Sequence, residues 1–493
     1  MINRLYFECM PITGDWLNKM VERAVINTAK SKLSYPYLVQ ENLEHQSNLN
    51  TGKVASIWWP LAASWLLMSV ELPFTSAVIA RLALPEITLA AFGSVVFPIA
   101  VAVEAPIIML LTASTALCRD WHSYLKVRRY MMVMGAVLTG IHGLIAFTPF
   151  FDFLVGRLMG VPPEIMGPAR IGLQIMLLWT WAIAYRRFNQ GILIRFGRSR
   201  VVSGGTLIRL LTVISVLGSG LYIGSLPGIV VAAIAVSSGV LAEAAFVGWK
   251  VRPMLSAYQG GTPEVEPEFS RVEAAITVTS FTAFYLPLAM TSILRLAFQP
   301  VISSAVSRSP LALESLAVWP VLYGLFFILR CSGYAYQEVA VSLLDRKGGK
   351  KALERFAAMI SLGATAAFFL IALTPLGRLW FEEFSGLPEN LSRLGEIGIW
   401  FGCLLPALSV YQSWFQARLV HLRRTRGVTE SVVMYILSSS LVLVIAVLSG
   451  SIVGLYAAVL SLTIGISFQT GWLMWRCRRE EKRIRQSDEA LCF

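Results

Sequence analysis

Long apolar runs, separated by short polar or basic stretches, dominate the chain. A run must hold about 20 residues to cross a bilayer as a helix. Twelve such runs are expected, at about 56–79, 88–116, 130–150, 169–186, 203–223, 226–248, 274–298, 312–340, 354–375, 395–414, 430–449 and 452–475. The second and eighth exceed one crossing, and both are expected to project beyond the membrane. Pro98 and Pro106 are expected to bend the second. No alternating strand pattern competes with this reading, so the fold class is an all-α polytopic membrane protein.

The pattern repeats. Pro60, Pro73 and Arg81 recur as Pro287, Pro300 and Arg308, and Tyr185, Gln190, Arg195, Arg198 and Arg200 recur as Tyr411, Gln416, His421, Arg424 and Arg426. A fixed period of about half the chain predicts two structural repeats. Six spans per half return the chain to its starting side, so the halves share one orientation and are related by a pseudo-two-fold axis along the membrane normal. The expected divisions are an N-terminal tail at 1–54, a first lobe at 55–248, a linker at 249–273, a second lobe at 274–475 and a C-terminal tail at 476–493. The linker holds Gly260, Gly261, Pro263 and Pro267.

Composition agrees with a membrane protein: 493 residues are 56% apolar and 14% charged, against about 25% charged in soluble domains. A net charge of +13 would also fit a nucleic-acid surface, but its placement argues otherwise. Alternate loops collect 33 of the 42 Lys and Arg residues on one side, which makes that side cytoplasmic and puts both termini there. The far side holds Arg81, Arg157, Arg170, Arg308, Arg378 and Arg393, and Arg209, Arg295 and Arg330 fall inside spans. The basic balance therefore meets anionic lipid, not nucleic acid. The expected location is a cell membrane, the inner membrane in a bacterium. The first 52 residues contain no signal-peptide core; Trp16, Met20 and Val25 mixed with Lys19, Arg23, Lys30 and Lys32 fit either a surface-lying amphipathic helix or a cytosolic tail. Six cysteines form no C-x-x-C pair and no zinc or disulfide pattern, and no metal or cofactor is implied.

Each repeated motif carries two readings. Tyr185, Gln190, Tyr411 and Gln416, with their basic neighbours, are interfacial anchors or a cytoplasmic gate. Pro73 and Pro300 remove backbone hydrogen bonds within spans, which marks paired hinges.

A charge near mid-bilayer costs about 2.5–3.5 kcal/mol, so each one is a candidate site. Glu71 lies in the first span, Glu104 in the second, Arg295 in the seventh and Arg330 in the eighth. A shift of 226 lands Glu104 on Arg330, with small gaps in the repeat there, and Glu71 falls within a turn of the mate of Arg295. The halves are thus alike in pattern and opposite in charge. Either these residues form ion pairs between the lobes, or Arg295 and Arg330 bind an anion, since guanidinium matches carboxylate and phosphate. Glu71, Glu104 and His142 are candidates for coupling to a proton or sodium ion. His142 also fits a helix–helix hydrogen bond. Glu243 and Glu338 fall near cytoplasmic ends, where solvation accounts for them.

Two six-span halves joined by a cytoplasmic linker resemble the multidrug/oligosaccharidyl-lipid/polysaccharide exporter superfamily, and within it the progressive ankylosis family. The resemblance runs from about residue 57 to 480. It is carried by Pro60-Leu61 with Glu71, Gly135-Ala136 through His142 to Leu144-Ile145-Ala146-Phe147, Gly191-Ile192-Leu193, and Pro287-Leu288-Ala289 through Arg295 and Pro300 to Ser307-Arg308. It implies a V-shaped, multidrug-extrusion (MATE)-like exporter whose first, second, seventh and eighth spans line the cleft. The family is associated with organic anions such as ATP, pyrophosphate or citrate.

A secondary exporter of organic or phosphorylated anions, acting as a monomer on a small solute in contact with membrane lipid, is therefore the expectation. A cation or drug antiporter would concentrate carboxylates in the cleft, and a lipid-linked sugar flippase would also use arginines to grip pyrophosphate. Four histidines with no H-E-x-x-H, G-x-S-x-G or P-loop pattern argue against an enzyme.

Overall fold

The computed structural model describes residues 49–118, 120–196, 198–259, 277–422, 424 and 426–491. The expected amphipathic segment before residue 49 and most of the linker lie outside them. Among the described residues the structure is helical throughout, with no strand.

The helices of the first lobe are α1 (Thr51–Ile79), α2 (Pro85–Leu117), α3 (Trp121–Phe147), α4 (Pro163–Ile175), α5 (Leu177–Arg195), α6 (Ser199–Ile223) and α7 (Gly228–Gln259). The second lobe has α8 (Val278–Leu296), α9 (Phe298–Ser307), α10 (Ala312–Leu343), α11 (Gly349–Leu373), α12 (Glu389–Trp400), α13 (Leu405–His421), α14 (Arg426–Ser449) and α15 (Gly454–Leu491). Among the described residues nine helices are long and apolar enough to cross a membrane, and α12 with α13, bent by 46°, make a tenth. The chain is a multi-pass membrane protein. The expected count of twelve holds approximately: 169–186 is divided between α4 and α5 at Met176, and α8 carries Arg295 and several hydroxyl side chains.

The repeat is visible in backbone detail. Leu84 and Leu311, 227 positions apart, are the non-glycine residues with positive φ among those described, at 52° and 53°, and each starts a long helix. A side chain in that region costs about 1–2 kcal/mol, so matched strain at matched positions marks a shared fold. Gly160 and Gly386 (φ 68° and 71°), and Gly224 and Gly450 (67° and 63°), repeat at a spacing of 226. Short π-helical segments, Asp152–Leu158 and Leu379–Phe384, precede the first of these pairs.

Gly93 and its repeat mate Pro320 touch; a Cβ on Gly93 would come within 2.3 Å of the proline ring. Residues that meet their own mates lie beside the pseudo-two-fold axis, which therefore passes between α2 and α10. Ser94 Oγ donates to Leu316 O across the same seam at 2.6 Å. One large apolar core, containing Phe92, Phe188, Phe326 and Phe381, runs through both lobes.

Matched prolines have unlike effects. α1 continues through Pro73, whereas the seventh span breaks at Ala297 just before Pro300. Pro300 cannot donate to the carbonyl four residues back, and the break falls there. Likewise, Pro106 sits in a 3-10 stretch that interrupts α2 immediately after Glu104.

Candidate functional site

Glu71 projects from α1 and is met by Arg209 of α6, Nη2 to Oε2, at 2.8 Å. Arg209 Nε also lies 3.8 Å from Glu243 Oε2 on α7. One turn of α5 places Arg186 and Gln190 on a single face, where i and i+4 are neighbours. Arg186 Nη1 donates to Glu243 Oε2 at 2.5 Å, and Gln190 Nε2 donates to Oε1 at 3.0 Å. Glu243 is fully buried, so this carboxylate is held by charge pairing and not by water at a helix end, contrary to the expectation. Arg186, counted above with the cytoplasmic loop, is buried with it.

Glu104, 7% exposed, completes the group. Arg186, Arg187 and Arg209 are the charges around it, yet its Oε2 has no hydrogen-bond partner among the described residues. Three acids and three arginines thus gather inside the first lobe, with Glu71 and Glu243 paired to Arg209 and Arg186. The ion pairs considered between Glu71 or Glu104 and the second lobe's arginines are not formed: Glu71 finds its partner in its own lobe.

The second lobe is different. Arg295 is exposed in the last turn of α8, before the break at Ala297. Arg330 on α10 is 3% exposed, with its guanidinium 5.5 Å from the centre of the Tyr334 ring and its Nε without a hydrogen bond. Tyr323 and Tyr435 lie within electrostatic reach of both arginines. Gln299 Nε2 donates to Tyr323 Oη at 3.5 Å. Among the described residues neither Arg295 nor Arg330 has a carboxylate partner.

The repeat explains the contrast. Glu71 and Arg209 correspond to Phe298 and Tyr435, whose rings meet edge to face at 5.5 Å. Arg186, Gln190 and Glu243 correspond to Gln412, Gln416 and Gln469. The same scaffold positions hold ions in one lobe and neutral groups in the other, and Glu104 corresponds to Arg330.

The remaining candidates fall elsewhere. His142 is buried, with Nδ1 2.8 Å from Thr180 Oγ1 and Nε2 3.0 Å from Leu173 O. A carbonyl only accepts, so Nε2 donates to Leu173 O, while Nδ1 shares a hydrogen bond with the Thr180 hydroxyl. Tyr185 lies across Gly248, where a Cβ would come within 2.5 Å of its hydroxyl. Tyr411 is exposed and Gln416 partly buried. Arg186, Arg187, Arg209 and Glu243 carried no site role in the sequence reading; for Arg209 and Glu243 the signal was a charge inside an apolar run, whereas Arg186 and Arg187 fell at or beyond the end of one.

No protein-family model matches the chain, and no curated relative does. Solved structures do. An inward-facing multidrug resistance MATE family transporter of the MOP superfamily is 14% identical, with a TM-score of 0.65 over 87% of this chain and 99% of that one. The lipid II flippase MurJ, in an inward closed conformation, is 13% identical with a TM-score of 0.60, covering 85% and 87%. A MOP superfamily transporter from Pyrococcus furiosus, described as having a binding pocket of reverse polarity that suggests a different function, is 14% identical with a TM-score of 0.58, covering 88% and 96%. The chain therefore has the MATE-like fold of the MOP superfamily transporters.

Proposed function

We propose that this protein is a secondary transporter of organic or phosphorylated anions, working by alternating access of its two lobes, with Arg295 and Arg330 as the anion-binding pair. One observation carries the reading: Glu71 and Glu243 are paired with arginines of their own lobe, and among the described residues the two guanidiniums of the second lobe have no carboxylate opposite them. A buried guanidinium without a counter-charge is costly in the empty protein, and a bound oxyanion removes that cost. Tyr323 and Tyr435 add hydroxyls to the same site.

The finer assignment follows the resemblance to the progressive ankylosis family, with ATP, pyrophosphate or citrate as the anion class. The description of the Pyrococcus furiosus transporter, a pocket of reverse polarity, concerns that protein; here the positive charge of the second lobe is the reason to expect an anion. The Lys/Arg-rich face is assigned to the cytoplasm, with both termini there, and export is the direction proposed. Glu104 is the candidate for proton coupling, because one carboxylate oxygen is buried without a partner. That same oxygen favours a second reading, a cation or drug antiporter in which Glu104 meets the cation.

Liposomes containing the purified protein, given a panel of anions, cationic drugs and lipid-linked sugars under a pH gradient, separate these readings. Anion flux is expected. Flux of a cationic drug with no response to any anion would replace the first reading with the second.

A further inference from the structure

Arg81 and Arg308, the last members of the repeated Pro/Pro/Arg pattern, sit at the face opposite the Lys/Arg-rich one and reach across the lobe boundary. Arg81, two residues beyond α1, donates Nη1 to Phe384 O at 2.9 Å and Nη2 to Glu383 O. Its mate Arg308 donates Nη1 to Met159 O at 2.8 Å and Nη2 to Leu158 O at 2.5 Å and Arg157 O at 3.3 Å. Each arginine is also tied to its own helix four residues back, to Ala77 O at 2.7 Å and to Ser304 O at 2.9 Å. The contacts are reciprocal: the first lobe grips the second, and the second grips the first.

The receiving ends are built for a cation. Both sets of carbonyls close the π-helical segments Leu379–Phe384 and Asp152–Leu158, where the backbone dipole favours positive charge. A glycine in the left-handed region follows each. A Cβ on Gly386 would lie 3.0 Å from Arg81 Nη1, and one on Gly160 would lie 3.2 Å from Arg308 Cζ. Glycine thus serves twice at each place, for the positive φ and for the approach of the guanidinium. The edge-to-face contact of Phe74 with Phe384, 5.6 Å between ring centres, lies beside the first latch.

We infer that Arg81 and Arg308 are paired latches holding this face closed, and that it opens only when both release. The partners are neutral carbonyls rather than carboxylates, so each grip is modest and reversible, as a gate requires. A guanidinium offers its donors in a rigid planar fork that meets two or three separated carbonyls, whereas the three donors of a lysine ammonium spread from one nitrogen. The inference rests on the two-lobe fold and on no assumption about substrate, so it stands or falls apart from the anion reading.

The test uses full-length protein in nanodiscs, its native cysteines replaced, with spin labels at Glu164→Cys and Asn390→Cys. These exposed, repeat-related positions lie on opposite lobes near Gly160 and Gly386. Pulsed electron paramagnetic resonance reads the distance between them. The unaltered latches should give mainly one short distance. Arg81→Gln or Arg308→Gln should each raise the long-distance population about tenfold, the loss expected for charge-assisted hydrogen bonds, and the double variant about a hundredfold. Gly160→Ala and Gly386→Ala, which keep both charges, should shift the population the same way and supply the reading if the arginine variants fold poorly. An unchanged distance distribution in a folded double variant, or in folded glycine variants, overturns the proposal.

Discussion

The Glu71 carboxylate is bridged by the Arg209 guanidinium of its own lobe at 2.8 Å, and the repeat replaces this ion pair with the aromatic pair Phe298 and Tyr435. Duplication kept the geometry and changed the chemistry. One lobe holds a network of paired ions, and the other holds two arginines with no carboxylate partner among the described residues.

If the first-lobe pair is self-contained, breaking it is a stability defect. Arg209→Gln leaves Glu71 without its counter-charge and should cost about 3 kcal/mol, read as a lower unfolding temperature in detergent. Glu71→Phe with Arg209→Tyr imports the second lobe's own solution and should recover most of the loss. A double variant no more stable than Arg209→Gln alone would mean that the equivalence of the two sites is wrong.

Arg330 should show the opposite balance. Arg330→Met keeps the packing and removes a buried charge that has no carboxylate partner, so the unfolding temperature should hold or rise. Anion flux should be lost in the same variant. A clear drop in stability would assign Arg330 a structural role.

For Glu104 the expected change is in coupling. Glu104→Gln leaves the carboxamide among Arg186, Arg187 and Arg209 but removes the ionisable group. Anion exchange across a membrane without a pH gradient should persist, while stimulation by an imposed gradient should vanish. Equal stimulation in the variant and the parent would remove Glu104 from the coupling step.

His142 should prove structural. Phe368 occupies the equivalent position in the second lobe and is fully buried. His142→Phe gives up the bonds to Thr180 and Leu173 and should cost about 1–3 kcal/mol of stability. The pH profile of flux should keep its shape. A profile flattened by this substitution would make His142 a proton carrier.

Much of the fold was legible because a repeat betrays itself at widely spaced positions. The matched prolines and arginines located two lobes of one orientation, and the left-handed Leu84 and Leu311 fall at that period. Charge partners were harder to read. Pairing depends on which helices touch, and α6 and α7 deliver Arg209 and Glu243 to Glu71 and Arg186 only after packing. Glu243 illustrates the point: near a span end it read as solvated, yet α5 closes over it. The number of crossings was blurred for a related reason, since breaks at Met176 and Ala297 follow from local backbone geometry that hydropathy averages away.

The central claim, an anion site at Arg295 and Arg330, is tested most directly by measuring radiolabelled pyrophosphate and citrate uptake into liposomes that hold the parent protein, Arg295→Ala or Arg330→Ala. Saturable uptake of at least one anion by the parent, lost in both variants while each stays folded and inserted, is the predicted result. Undiminished anion uptake in both variants would contradict the claim.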